Sequence, residues 1–159
     1  TYQDYLRRYA ANFLFDYLID IPDDHVRMLL NQPVDTFNPE TIMLREGDKV
    51  DEIFLILSGS VEMLDSRADF QGILSAGVMI GEIQALLNKT LKETYRSTNF
   101  VNTLTIPSSL YQTIGERFGI VKKIRKYAEL RDFLLRTWLF GENLAAALQL
   151  VCFLSSAYI

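Results

Sequence analysis

The 159-residue chain holds one cysteine, Cys152, and one histidine, His25. A lone cysteine permits no internal disulfide, which fits a reducing, cytoplasmic setting. A lone histidine excludes the multi-histidine metal centre that a catalytic β-roll would need, so no metal ligands are expected. No nucleophile is set with a base and an orienting third group, so catalytic residues are absent from this reading and the chain is taken as a non-enzyme. Excess charge is also small. With 16 basic against 20 acidic residues the net charge is −4, which gives no general attraction to nucleic acid. The start, Thr1-Tyr2-Gln3-Asp4, is polar, and no signal peptide is read there. The chain begins without Met and stops on an apolar stretch, which suggests a piece of a larger protein. That stretch, Leu144 to Ile159, falls short of the roughly 20 residues a membrane span requires. Repeats and low-complexity segments are missing.

What is present is a core-forming composition, 49% apolar, enough for one domain with helical extensions. Tyr2, Tyr5, Leu6, Tyr9, Phe13 and Tyr17 recur at helical spacing. Asp20-Ile21-Pro22 interrupts that pattern. Asp23 and Asp24 then open a short helix carrying Val26, Leu29 and Leu30, which Pro33 ends. Short β runs follow at 34–37, 41–44, 52–57, 61–64 and 70–74, separated by Asn38-Pro39, Glu46-Gly47-Asp48 and Asp65 to Asp69. Glu82 to Asn88 reads as one short helix. Residues 94–106 read as one long strand or two short ones. Pro107-Ser108-Ser109 starts a helix, with a hydroxyl cap expected. Many short strands at regular spacing indicate a barrel or roll.

The most informative stretch runs from Arg45-Glu46-Gly47-Asp48 through Ile53-Phe54-Leu55-Ile56-Leu57 to Ser58-Gly59-Ser60-Val61-Glu62. It is a charged turn, a strand, a tight turn and a second strand, with glycine at each bend. It resembles the opening hairpins of the cyclic nucleotide-binding domain. A second landmark, Gly81-Glu82-Ile83-Gln84-Ala85-Leu86-Leu87, is similar to the start of that family's phosphate-binding cassette. The resemblance covers about residues 13–140. It implies an α+β protein, an eight-stranded jelly-roll or double-stranded β-helix flanked by N- and C-terminal helices. The divisions are 1–33 for N-terminal helices, 34–118 for the roll with its cassette helix, and 119–159 for a C-terminal helical extension serving as lid, dimer contact or coupling element.

The resemblance also implies a ligand, cyclic AMP or cyclic GMP, and no other cofactor. Gly81, Glu82 and Ile83 stand where the cassette presents its backbone N–H groups and where its Glu accepts a ribose hydroxyl. An Arg beyond the short helix should fork onto the phosphate. Two placements compete for it. By motif text the residue is Arg96, followed by Ser97. By strand framework, counting back from Ile106 or forward from Glu82, it is Leu91, because a slip of one residue would turn the core face outward. In the second case the phosphate ligand is missing, and Lys89 or Lys92 offers only a point charge. The bland role of Glu82 is to favour the helix dipole. Tyr127 or Trp138 is placed to act as a lid over the base, or to pack against the roll or a partner.

Lys122-Lys123-Ile124-Arg125-Lys126 reads as the solvated face of a helix, since no DNA-reading helix pair follows. A helix over 144–159, apolar except for Gln149, Ser155 and Ser156, must be buried, by a homodimer partner or a fused or partner domain. Three roles remain open. The chain is a regulatory sensor of cyclic nucleotide, or a ligand-independent docking or dimerisation domain of the same fold, or the regulatory tail of a larger bacterial enzyme. For the third, Glu93 to Arg96 and Thr137 to Glu142 resemble the tails fused to metallo-β-lactamase-type hydrolases. No nucleic acid and no membrane are expected as partners.

Overall fold

The computed structural model describes residues 2, 4, 5, 7, 8, 10, 11, 21–120, 122, 125 and 126. Helix α1 (Asp23–Leu30) precedes strands β1 (Val34–Phe37), β2 (Ile42–Leu44), β3 (Glu52–Ser58), β4 (Val61–Leu64), β5 (Phe70–Leu74) and β6 (Met79–Ile80). Helix α2 (Glu82–Leu87), strands β7 (Thr94–Ser97) and β8 (Val101–Pro107), and helix α3 (Ser108–Arg117) follow. The strands form two four-stranded sheets in the orders β1-β8-β3-β6 and β2-β7-β4-β5. Every pairing is antiparallel. This is the jelly-roll with flanking helices that the family resemblance implies.

Two tight connections carry the chain from one sheet to the other, between β3 and β4 and between β7 and β8. They are bonded to each other. The Ser60 amide donates to Asn99 Oδ1 at 2.8 Å, and the Thr98 amide donates to the Ser60 carbonyl at 3.0 Å. The Ser60 and Thr98 hydroxyls also meet. Stitching the two turns fixes the stagger of both sheets at one end of the roll.

β3 buries five consecutive residues, Ile53 to Leu57. A strand covered on both faces shows no polar alternation. Ile53 and Leu55 oppose Ile106 and Leu104 of β8, so these four share one face; Phe54 and Ile56 oppose Thr105 and Thr103 on the other. α1 adds Val26 and Leu29 to the core, and α3 adds Tyr111 and Ile114. The first turn of α1 carries Asp23 and Asp24, where negative charge complements the helix dipole. At α3 the expected hydroxyl cap does not form. Pro107 holds the cap position, and the buried Ser108 hydroxyl donates instead to the Val50 carbonyl. That bond, with Ser108 N–H to the Asp51 carbonyl at 2.8 Å, seats the start of α3 on the loop before β3.

A candidate cassette between the roll and its helices

Gly81 caps α2 in the left-handed region, at φ 86°. A Cβ there would lie 2.9 Å from Val50 Cγ1 and 3.3 Å from Leu44 Cδ1. Both the backbone angle and the close approach of the roll therefore require glycine. Glu82 opens the helix, and its Oε2 accepts a hydrogen bond from the Tyr111 hydroxyl at 3.3 Å. Ile83 is half-buried. One turn further, the Ala85 carbonyl accepts from Gln112 Nε2 at 2.6 Å. Two side chains of α3 thus clasp α2, and sequence reading names neither. Helical spacing marks Tyr111, three positions before Ile114, as a residue that faces the core, but it does not reveal the partner.

The helix ends at Asn88, itself left-handed at φ 52°. Beyond it the chain is zipped onto the Glu-Gly-Asp turn. Leu91 N–H donates to the Asp48 carbonyl at 2.9 Å, Gly47 N–H donates to the Leu91 carbonyl at 2.8 Å, and Lys49 bridges Thr90. Leu91 is 2% exposed and belongs to the hydrophobic core. Lys89 and Lys92, on either side, are exposed.

Strand β7 alternates. Tyr95 and Ser97 are buried; Thr94 and Arg96 are half-buried. Arg96 stands opposite Glu62 of β4 and pairs with its carboxylate through Nε and Nη2. Ser97 is fully buried. Its hydroxyl donates to the Asn38 carbonyl at 2.6 Å and accepts from the Thr41 amide at 2.9 Å, which fastens the β1–β2 loop. Tyr95 lies between Leu44 and Met63 of the neighbouring strands. Burial, and secondarily the nearby Glu93 carboxylate, pushes its phenol above the ordinary 10.0.

Of the residues singled out in the sequence, Gly81, Glu82 and Ile83 therefore meet at the start of α2. Arg96 is engaged with Glu62, Ser97 with the β1–β2 loop, and Lys89 and Lys92 face solvent. Tyr127 and Trp138 lie outside the described residues. A cavity of about 280 Å³ opens between α2 and the start of α3, lined by Lys49, Gln84, Asn88, Lys89, Ser109 and Gln112, among others. Among the described residues, no group of three His, Cys, Asp or Glu side chains could hold a metal ion. Among them also, no helix is long and apolar enough to cross a membrane.

Residues 34–117, more than half of the chain, match the family described as cyclic nucleotide-binding domain. The chain belongs to that family, whose members are regulatory modules. Among curated proteins it is similar to the cGMP-dependent protein kinase egl-4 of Caenorhabditis elegans, 25% identical over 103 residues. That match takes in 65% of this chain and 12% of the kinase, so the chain spans about an eighth of the curated relative's length. Among solved structures it is similar to the regulatory subunit of a cAMP-independent protein kinase A from Trypanosoma brucei. The TM-score is 0.63 at 19% identity, covering 79% of this chain and 46% of that one. It is also similar to cAMP-bound PfPKA-R, with TM-score 0.65 at 15% identity, covering 92% of this chain and 51% of that one. Likeness at these identities concerns the fold.

Proposed function

We propose that this chain is a regulatory module of the cyclic nucleotide-binding fold that acts without nucleotide, as a docking and positioning domain of a larger protein. The observation that carries the reading is Leu91. The strand framework puts it where the family's phosphate-binding Arg belongs, and it is a buried core residue tied through its backbone to Gly47 and Asp48. A cyclic phosphate is an anion, and binding it out of water requires a fixed opposing charge. A leucine supplies none. Lys89 and Lys92 are exposed, and an ammonium in water is a hydrated point charge, not a two-pronged clamp. Arg96, the other candidate, is committed to Glu62.

A neighbour supports the same view. The Trypanosoma brucei subunit is described as cAMP-independent, and a variant of it with one Thr-to-Arg, one Glu-to-Ala and one Val-to-Ala exchange is described as bound to cAMP in the A site. An arginine is among the changes that accompany binding there.

Isothermal titration with cyclic AMP and cyclic GMP tests the reading. No heat is expected with either nucleotide at 100 µM protein. Saturable binding by either, abolished by Glu82→Ala, would overturn it in favour of a sensor whose cassette at Gly81 and Glu82 still works. The docking role is assigned to the C-terminal extension at 119–159, whose apolar sequence calls for burial, through self-association or contact with a fused or partner domain. Light scattering should give a particle larger than one chain that is indifferent to nucleotide; a monomer would remove the dimer form of the proposal.

A further inference from the structure

We propose that the outer face of the β2-β7-β4-β5 sheet is a docking surface for a second copy of this chain. β7 buries Tyr95 and Ser97, so Arg96 and the residues in register with it point outward. That register runs straight across the sheet. Ile42 of β2 stands opposite Arg96, Arg96 opposite Glu62 of β4, and Glu62 opposite Ile73 of β5. The row reads apolar, positive, negative, apolar. Its ends are open, with Ile42 38% and Ile73 59% exposed. The next outward row holds Thr94, Leu64 and Phe70, and Phe70 is also 59% exposed. Single exposed apolar residues need no explanation, but three large ones on one face, around one ion pair, mark a contact surface.

The order of the row decides the occupant. Turned over about a twofold axis parallel to the strands, midway between β7 and β4, a second copy presents the same row reversed. The partner's Arg96 then meets Glu62, and the partner's Glu62 meets Arg96. The partner's Ile73 meets Ile42, and the partner's Ile42 meets Ile73, as an isologous contact demands. Four charges form a square in which every neighbour is opposite in sign, the Arg96–Glu62 pair within each chain included. The sheets pack with strands aligned, about 10 Å apart. The apolar ends close over the charges and exclude water, which strengthens a pair that solvent screens in a single chain. An acidic face would repel Glu62, a basic face would repel Arg96, and an apolar face would bury both without new partners. This contact is separate from residues 119–159 and does not rest on the nucleotide reading.

Disulfide trapping on the full chain tests this, in a Cys152→Ala background so that no native thiol competes. One sample carries Ile42→Cys and another carries Ile73→Cys. Across the twofold these positions face each other, and a disulfide can span two packed sheets. Two copies of position 42, or two of position 73, stay about 14 Å apart or more, three strand spacings. That is outside disulfide reach, so an equal mixture under mild oxidation should give about tenfold more linked dimer than either variant alone. Adding Arg96→Glu to both variants should abolish the link, because like charges then meet twice. Placing Arg96→Glu on the Ile42→Cys chain and Glu62→Arg on the Ile73→Cys chain should restore it, because each meeting is again opposite in sign. An ion pair that serves only its own chain would gain nothing from such mixing. Linkage no greater in the mixture than in the separate samples would overturn the proposal. So would dominant linkage of Ile73→Cys with itself, which would assign the β5 edge to strand pairing. So would a charge-swapped mixture that fails to link while both variants keep the circular dichroism of wild type. A particle larger than one chain with no such link would exclude this face and leave the contact through 119–159 standing. Heat on adding cyclic AMP would sink the nucleotide reading and leave this contact untouched.

Discussion

Leu91 has its side chain in the core and its backbone hydrogen-bonded to the turn before β3. Cutting it to alanine should cost about 2–5 kcal/mol, the range for a buried leucine whose surroundings collapse only in part. Leu91→Arg should cost more, because a guanidinium would enter an apolar site with no counter-charge; urea denaturation measures both. An arginine variant as stable as wild type would mean that an anion or acidic partner already waits there, against the proposed function. Tyr95 gives a second residue-scale expectation. Its folded phenol titrates above 10.0 because burial disfavours the phenolate. The folded state therefore holds the proton longer than the unfolded chain. This contribution is complete below pH 10 and is lost as pH rises from 10 through the folded value. Urea midpoints at pH 8 and pH 11 should fall further apart for wild type than for Tyr95→Phe; equal differences would refute the assignment. The sequence allowed two placements for the family's arginine, Arg96 and position 91; in β7 Arg96 pairs with Glu62 while Tyr95 and Ser97 are buried. The clasp by Tyr111 and Gln112 was not legible, because it joins residues 27 or more positions apart.

Elements whose signal is local were readable, and those defined by a partner were not. β1, β4 and β5 stand at the residues that turn signals and β-branched runs predict. Residues 94–106, which the sequence reads as one strand or two, divide at the Thr98–Phe100 crossover. β6 was missed. It is only Met79 and Ile80, and it is a strand because these residues pair with Leu55 and Phe54 far back in the chain; two residues carry no periodicity of their own. The β3–β4 turn was legible from Ser58-Gly59-Ser60, and the structure explains its strictness. Gly59 has φ 89°, and a Cβ there would come within 2.3 Å of the Phe100 carbonyl. Gly59→Ala therefore combines backbone strain with a clash against the other crossover, and should cost about 1–3 kcal/mol in urea denaturation. The Arg96–Glu62 pair should matter far less. It lies across neighbouring strands with the arginine side chain 42% exposed, so solvent screens it, and Glu62→Gln should cost about 0.2–1 kcal/mol. A larger loss for Glu62→Gln than for Gly59→Ala would reverse this ranking of the two sheet contacts.

For the molecule as a whole, the question is whether the roll is complete without a ligand. The strands close around apolar side chains contributed by both sheets and by the helices, and the residue at the framework's arginine position is one of them. On the proposed reading a roll filled by its own side chains gains nothing from a nucleotide, and mass action makes that quantitative. A ligand with a dissociation constant of 10 µM, present at 1 mM, stabilises the folded state by about 2.7 kcal/mol. For a domain of roughly this size each 1 kcal/mol moves the melting temperature by about 2–8 °C, so even modest binding should raise it by more than about 5 °C. Cyclic AMP or cyclic GMP at 1 mM is expected to move it by less than about 1 °C. A shift beyond that with one nucleotide and not the other would reveal a base-selective site. The cavity between α2 and α3 would then be the first place to look, since its lysines and amides are the polar groups beside the cassette that Leu91 leaves accessible. Lys89→Ala separates these cases. It should leave the melting temperature without nucleotide unchanged, because Lys89 is exposed, and it should abolish a nucleotide shift only if that cavity is where the anion sits.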